Sequence, residues 1–468
     1  MIEAWFRVDW GVALVSICLR GFRNLEPTSV DFAEGSNYLF GPNGAGKTNL
    51  LEAIHYLAIG RSFRRCPDAE LLGFGKDVLI VSGTDESGET AEIRFDGREK
   101  RVLRNSIPID KLSEYFGWLP VVVLLLEDIE LVKGAPGIRR NFLDVAIAKT
   151  EGGAVGRPES EVSRQNAEGR SCSSPQPSLH RGEGERSEGE EAVGGKRWAD
   201  GGRHEEQSYI TLTSEYRRAV SQYNRLLERG GVGNEVAAWE EEVVRAGVPV
   251  YEARLAKVVV LLEHAARHYA RLAGHGAVFG YRSSVVPEGT RSESPGRDSV
   301  MSPADLAGAF RQRLAQTRER ARALGHAVVG PHRDGIRITR GDRELRKFGS
   351  VGEQRLAGIA LRLAEADMIL KAGRQRPVFL LDEVASELDE QRSRMVLEMV
   401  CERGQMVYAA ARRMLQQGSR DQGIEGSSGG SPNAVHDASA LGHLSTGAPE
   451  QSSGKEFHVE AGKVTSVS

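Results

Sequence analysis

The sequence predicts an α/β fold assembled from both ends of the chain, with a mainly helical insertion between them. Three observations predict it. Near the start, Asn37-Tyr-Leu-Phe40 reads as a strand that runs into a glycine-rich loop and then a helical pattern. Near the end, Pro377-Val-Phe-Leu-Leu381 reads as a second apolar strand, closed by two acids, Asp382 and Glu383. Between the two, residues 209–325 carry helical rather than strand periodicity.

The length of 468 residues allows about three domains. The chain divides differently. Residues 12–150 and 326–415 are expected to form the two parts of one head, 209–325 a helical arm, and 455–468 a terminal strand of the head. The 54 glycines show where the remaining length goes. Residues 151–208 hold eleven glycines and eight serines but one Leu and one Trp, too little apolar surface to offset ordering entropy. This stretch and 416–454 are expected to be disordered. A net charge of −3 excludes a polycation throughout, though not a local basic face. The four cysteines are far apart with no C-x-x-C pair, which argues against a zinc ribbon or disulfide scaffold. The longest apolar run, Trp118 to Leu126, is too short to span a bilayer. The start, with Glu3 and Asp9 before its apolar stretch, reads as a strand rather than a signal peptide. A soluble, cytoplasmic protein without a membrane partner is expected.

The elements follow in order. Val12 to Leu19 predicts a strand, and Leu50, Leu51, Ile54, Leu57 and Ala58 predict one buried helix face. Val78-Leu-Ile-Val81 predicts a further strand, and Val121 to Leu126 one buried on both faces. Ile210, Leu212, Tyr216, Val220, Tyr223 and Leu227 form one helical stripe. Leu255, Val258, Val259, Leu262, Ala266 and Tyr269 form a second, which together predict paired antiparallel helices. A polar loop around Pro287–Pro303 follows, and α/β pattern resumes near His326.

The chemistry starts at Gly41, Pro42, Asn43, Gly44, Ala45, Gly46, Lys47 and Thr48, which fit G-x-x-x-x-G-K-[ST] at every fixed position. Gly44 and Gly46 let backbone N–H groups curl around phosphate oxygens without a Cβ in the way. The following helix contributes its positive end. Lys47 is placed for β- and γ-phosphates and Thr48 for Mg²⁺; Asn49 follows directly. At the far strand end, Asp382 is suited to Mg²⁺ and Glu383 to orienting or deprotonating a water, the division of labour that phosphoryl transfer needs. Alone, such a pair has a plainer, less favoured alternative, a solvated strand end. Lys47 and Asp382 stand 335 residues apart and neither motif recurs, so one nucleotide site is split by a large insertion.

A third motif, Phe348-Gly-Ser-Val-Gly-Glu-Gln-Arg355, precedes a helix whose buried face is marked by Leu356, Ile359, Ala360, Leu363 and Leu370. Ser350 and Gly352 at its N-terminus predict an anion site; the alternative is an ordinary serine N-cap.

In chain order the motifs are Arg20-Gly-Phe-Arg-Asn24, the loop from Gly41 to Asn49, and Gly60-Arg-Ser-Phe-Arg64. Glu127 to Gly134, Arg139-Arg-Asn-Phe-Leu-Asp144 and Gly330-Pro-His-Arg-Asp334 follow, then Ser350 to Arg355 and Leu381 to Asp389. This set resembles the RecF family of bacterial DNA replication and repair proteins over about residues 12–150, 209–412 and 455–468. The resemblance implies an ABC-type P-loop ATPase head of the SMC/Rad50 kind with a helical arm. It implies ATP and Mg²⁺ as ligands, slow hydrolysis, and an ATP-dependent homodimer in which Ser350 of one copy closes over the γ-phosphate held by the other. It further implies binding to gapped DNA and single-strand/double-strand junctions, and partnership with RecR, RecO and RecA. The chain departs from the pattern in its first dozen residues, in its two long insertions, in having Leu124-Leu-Leu126 where the family usually has a Pro before Glu127-Asp128, and at two ATPase motifs. No Q-loop glutamine stands near Leu124-Leu-Leu126, and Ala409-Ala-Ala-Arg412 lacks the histidine that many ABC ATPases carry.

Basic residues are candidates for phosphate contacts: Arg61, Arg64 and Arg65 after the loop helix, Arg139 and Arg140, and Arg217 and Arg218 on the arm. For any one of them a solvated face is the plainer reading. His332 is expected to be structural, and Arg333 and Asp334 to pair and fix the arm's return to the head. A transporter-type ATPase would bring its motifs closer together. An SMC/Rad50-like tether needs long heptad runs, which are absent. A nuclease needs an acidic metal cluster, and none stands in the sequence.

Overall fold

In the computed structural model, residues 14–110, 115, 117–151, 208–286, 301–373, 376–411 and 454–467 are described. Both expected disordered stretches fall outside these, save Glu151, Ser208 and Gly454 at their edges.

The N-terminal segment supplies β1 (Leu14–Arg20), β2 (Thr28–Asp31), β3 (Ser36–Phe40), β4 (Leu79–Asp85), β5 (Thr90–Phe95), β6 (Lys100–Arg104), β7 (Ile107–Pro108) and β8 (Val121–Leu125). The middle adds β9 (Val278–Arg282), β10 (Gly335–Arg340) and β11 (Arg343–Glu344). The C-terminal segment adds β12 (Val378–Asp382), β13 (Gln405–Ala410), β14 (Lys455–Glu460) and β15 (Lys463–Val467).

The central sheet has the order β15-β14-β3-β13-β12-β8, parallel except for β15. β3 lies between β13 and β14, so the N-terminal strand that leads into the phosphate loop is flanked on both sides by C-terminal strands. Two buried side chains pin this join. The Asn37 amide donates to the Met406 carbonyl (3.2 Å), and the Gln405 amide donates to the carbonyls of Leu14 (3.0 Å) and Ala33 (2.6 Å). The period of two along each strand divides its side chains between two cores. Val121, Val123, Val378, Leu380, Val407 and Ala409 face the loop-helix side. Val122, Leu124, Phe379, Leu381, Met406 and Tyr408 face the other. β8 is therefore buried on both faces, as its run of apolar residues predicts, although it is the last strand of its sheet.

An antiparallel sheet, β2-β1-β4-β5-β6-β7, covers the loop helix Lys47–Ile59, which is buried almost all round. On the opposite side lies the helix Val351–Lys371. It too is buried on most of its circumference: Leu356, Ile359, Ala360 and Leu363 are buried, while Leu370 is half-buried at the far end. Gly358 permits this packing, because a Cβ there would stand 2.5 Å from the Asp128 carbonyl oxygen.

The arm has three long helices among the described residues: Tyr209–Glu228, Asn234–Ala273 and Pro303–Leu324. The first two are antiparallel. The Arg254 guanidinium donates to the Tyr209 hydroxyl at one end (3.1 Å), and the Tyr223 hydroxyl donates to Glu240 at the other (3.0 Å). The first stripe shifts from the expectation. Tyr209, Thr213, Tyr216, Val220, Tyr223 and Leu227 are buried, and Ile210 and Leu212 only half so. In the second, Val258, Leu262 and Tyr269 are buried, joined by Leu261 and Ala265, while Leu255, Val259 and Ala266 are half-buried. The 40-residue middle helix belongs to both bodies. Val236 to Tyr251 pack in the arm core, and Val258 to Leu272 pack in the head core.

The expected polar loop around Pro287–Pro303 lies mostly outside the described residues, and the helix Pro303–Leu324, capped by Ser302 and opened by Pro303, begins where it ends. One feature corrects the sequence reading. The arm's return is not fixed by an Arg333–Asp334 pair. Arg333 donates to the Ala327 carbonyl (2.6 and 2.9 Å), whereas Asp334 accepts from the Tyr281 hydroxyl (2.6 Å) and from Ser284 N–H (2.7 Å) and Oγ (2.8 Å). Adjacent residues leave the chain on different sides, and here each finds a separate partner. The return itself is the antiparallel pairing of β9 with β10.

Candidate functional site

Parallel pairing brings the carboxyl ends of β3, β13, β12 and β8 to one edge, the place where open α/β sheets bind ligands. The Gly41–Gly46 loop leaves β3 there. Gly41 has φ 152°, and a Cβ on it would collide with the Val459 carbonyl of β14. Gly46 is left-handed at φ 116°, with a hypothetical Cβ 2.8 Å from Leu25 Cδ2, and it caps the loop helix. Around Gly44 (φ 80°) nothing lies within 4 Å of a Cβ, so this part of the loop is open.

Lys47 is buried. Its Nζ donates to the carbonyls of Gly41 (2.8 Å) and Pro42 (3.1 Å), two acceptors of its own loop. Burial pushes its ammonium below the ordinary value, against the opposing pull of Glu383 and Asp382. Asp382 ends β12 and accepts a hydrogen bond from the Thr48 side chain. Burial holds the Asp382 carboxyl above its usual range. Thr48 and the Arg64 charge lower it, while Glu383 and Glu127 raise it. Glu383 follows in a left-handed conformation (φ 51°), its N–H donating to the Ala409 carbonyl (3.1 Å). Lys47, Thr48, Asp382 and Glu383 thus meet at one sheet edge despite their separation in sequence.

Ser350 does not join them among the described contacts. It is the N-cap of Val351–Lys371: its Oγ accepts from Glu353 N–H (3.2 Å) and donates to Glu353 Oε2 (3.0 Å). The Ser350 backbone N–H also donates to Glu353 Oε2 (2.9 Å); this bond first, with the Ser350 hydroxyl, outweighs burial and holds the Glu353 carboxyl below its ordinary range. Arg340 pairs with the same carboxylate. Gly352 stands in open space, and the neighbouring side chains Phe348 (68%) and Val351 (61%) are exposed.

One group of site residues escapes the sequence reading. Glu52, on the loop helix, is fully buried. It accepts from Arg23 Nε (2.8 Å) and a second Arg23 nitrogen (2.9 Å), from Arg64 (3.2 Å), and from Ser62. Arg64 also donates to Asn49 (3.0 Å), Asn49 donates to Asn24 (2.7 Å), and Asn24 donates to the Gly44 carbonyl (3.3 Å). The Arg20–Asn24 and Gly60–Arg64 motifs therefore buttress the phosphate loop. The available signal was an acid inside an apolar helical run. Glu127 is the other such residue: it stands where no Q-loop glutamine was found, within electrostatic reach of Asp382.

The donor set fits a hard cation: a threonine hydroxyl, the Asp382 carboxylate it touches, and two further carboxylates nearby. In one comparison with known proteins, an AAA domain family matches residues 16–151. A DNA replication and repair protein RecF from Geotalea daltonii is 27% identical over 400 residues, covering 84% of this chain and 92% of its own. Its counterpart from Symbiobacterium thermophilum is 29% identical, covering 83% and 88%. A solved structure of the recombination mediator protein RecF with ATP, of the RecFOR pathway, superposes with a TM-score of 0.70 at 21% identity, covering 99% of this chain and all of the other. By sequence along most of its length, and by fold along nearly all of it, the chain is similar to the RecF proteins of DNA replication and repair, and its head has the fold of an ABC-type P-loop ATPase.

Proposed function

We propose that the chain is a RecF-type ATPase that binds gapped DNA and single-strand/double-strand junctions as an ATP-dependent homodimer in the cytoplasm. The observation that carries the reading is the meeting of Lys47, Thr48, Asp382 and Glu383 at the carboxyl edge of a parallel sheet, beside an open glycine loop. Lys47 binds the nucleotide's phosphates in exchange for its two loop carbonyls. Thr48 and Asp382 hold Mg²⁺, which supplies charge neutralisation on phosphoryl oxygens. Glu383 takes the proton of the attacking water at its carboxylate.

One chain offers this half of the site, and a second copy supplies Ser350. Phe348 and Val351 on either side of Ser350 are exposed, so this end of the helix is open to a second copy. Nucleotide bound between two copies then stabilises the dimer by its greater affinity for that state. DNA lies across the dimer and is released on hydrolysis. RecR, RecO and RecA are the partners in placing RecA on DNA. No helix among the described residues is long and apolar enough to cross a membrane.

The test is the ATPase rate with and without gapped DNA over a salt series, for the wild type and Lys47→Ala. DNA stimulation of the wild type that fades with salt, and no ATP-dependent DNA binding by Lys47→Ala, are expected. DNA binding indifferent to ATP and to Lys47 overturns the reading.

A further inference from the structure

Two of the motifs that carry the family resemblance take no part in the phosphate-loop site: Arg139 to Asp144 and Gly330 to Asp334. The fold brings them together. With the arm helix Tyr209–Glu228 and the middle of Asn234–Ala273, they enclose a cavity of about 240 Å³ at the base of the arm.

Three guanidinium groups line the cavity, Arg140, Arg217 and Arg254, and one carboxylate, Asp144. The charges do different work. Arg254 is buried and committed: it donates to Asp144 (2.6 Å), to the Pro331 carbonyl (2.7 Å) and to the Tyr209 hydroxyl (3.1 Å). Asp144 is committed in turn, since it also accepts from Tyr209 (2.7 Å) and Arg217 (3.2 Å). Arg217, with 63% of its side chain exposed, marks the mouth. Arg140 is half-buried and makes no hydrogen bond or ion pair among the described residues. Burial and the nearby charges of Arg333 and Arg254 hold it below its ordinary pKa, yet a guanidinium stays charged at neutral pH. His332 is pushed down to about 4 by burial and is neutral there. Three positive groups and one negative leave the lining two charges positive. Gly137, in the first turn of the Pro136–Lys149 helix, adds the positive end of that helix to the wall.

We propose that this cavity is an oxyanion site, separate from the phosphate loop, that receives a phosphate group of bound DNA, with Arg140 as the contacting residue and Arg217 at its mouth; this rests on the DNA-binding reading above. A planar guanidinium matches a phosphate with two parallel hydrogen bonds. A phosphate contact of this kind positions a protein on DNA without reading sequence, as recognition of a gap or junction requires. The cavity is also larger than a phosphate group alone, which leaves space for its sugar. Its place between head and arm makes the arm's base a second anchor for the strand.

The experiment measures binding of gapped DNA by the full chain with ATP, by fluorescence anisotropy, between about 50 and 200 mM salt. Arg140→Ala should weaken binding about tenfold and lower the slope of log affinity against log salt by about 0.9, the share of one phosphate contact. Arg140→Lys should restore the slope, and Arg320→Ala, an exposed arginine of the arm outside the cavity, should leave it unchanged. Arg217→Gln, an exposed substitution that spares the core, should lower the slope if Arg140→Ala does not fold. A wild type without affinity for gapped DNA overturns the DNA-binding reading and this proposal with it. A wild type that binds, with unaltered slopes in both variants, overturns the cavity assignment alone. So does a result in which inorganic phosphate at constant ionic strength raises the Tm of the wild type but not of Arg140→Ala while the DNA slopes stay equal. The cavity then serves a free anion.

Discussion

Glu383 occupies a backbone conformation that costs a non-glycine residue about 1–3 kcal/mol, and it does so at the point where the proposed chemistry needs a carboxylate. Strain at a site is retained when the surroundings over-determine it, here through the Glu383 N–H on Ala409 and the β12–β13 pairing. Glycine at 383 would relieve the strain at a similar entropic cost in the unfolded chain. Glu383→Gly is therefore expected to keep stability within about 1 kcal/mol of the wild type in urea unfolding, while ATP hydrolysis falls at least about a hundredfold. Glu383→Gln keeps the side chain's shape and should trap an ATP-bound dimer. Light scattering that finds only monomer with ATP would count against a site shared by two copies.

At the scale of the element, the Val351–Lys371 helix links the Ser350 end to the rest of the head through two charged clusters. In the first, Arg362 donates to Asp128 (2.8 and 2.9 Å) and to Glu365 (3.1 Å), and Lys149 donates to Glu365 (2.5 Å) and to the Val121 carbonyl (2.7 Å). Two acids and two bases balance, and every partner is at least half-buried. Burial disfavours the Glu365 carboxylate, but Lys149 and Arg362 outweigh it and hold the group below its ordinary range. Arg362→Met leaves Asp128 and Glu365 short of a partner and is expected to cost about 3 kcal/mol, read from urea unfolding. The second cluster joins this helix to the head-packed half of the 40-residue helix. Asp367 accepts from His264 (2.8 Å), His268 (2.6 Å) and Arg403 (2.7 Å). Burial opposes its ionisation, and these three partners overcome that to hold its pKa far below the usual range. A depressed carboxyl pKa stabilises the folded state above the unfolded value of about 4 and loses that contribution as pH falls. Asp367→Asn should therefore be less stable than the wild type at pH 7, with a difference that shrinks below about pH 4 in thermal melts.

For the whole molecule, the join between head and arm is continuous rather than hinged by a loop. One 40-residue helix packs its first half in the arm core and its second half in the head core, and β9 pairs with β10 beside it. The long insertion starts and ends at one point on this join: Tyr209 N–H donates to the Glu151 carboxylate (2.5 Å), which also accepts from Lys257 (2.5 Å). Because the ends already meet, replacing 152–207 with a short Gly/Ser linker should leave Tm within about 2 °C of the wild type and leave the ATPase rate unchanged. A cooperative loss of folding would show that the insertion contributes to the core.

The phosphate loop, the acid pair and the family likeness were legible in the sequence because each depends on local chemistry. Glycine is needed where a loop must curl, lysine and threonine stand one after the other, and an apolar strand ends in acids. Helical spacing likewise marked the arm. Its exact buried face was less legible, since Tyr209 and Thr213 replace Ile210 and Leu212 in the core once a second helix is packed against them. Glu52 and Glu127 were not legible as site residues, because a single acid acquires its role from arginines and carboxylates far away in the chain. The same holds for Gly41, whose neighbour is the Val459 carbonyl, and for the cavity at Arg140, which four separate segments enclose. The sequence by itself determined the type of fold and the chemistry of its loop. Only tertiary structure decided which distant charges meet, because burial and electrostatic partnership depend on proximity in space, and local spacing does not encode that.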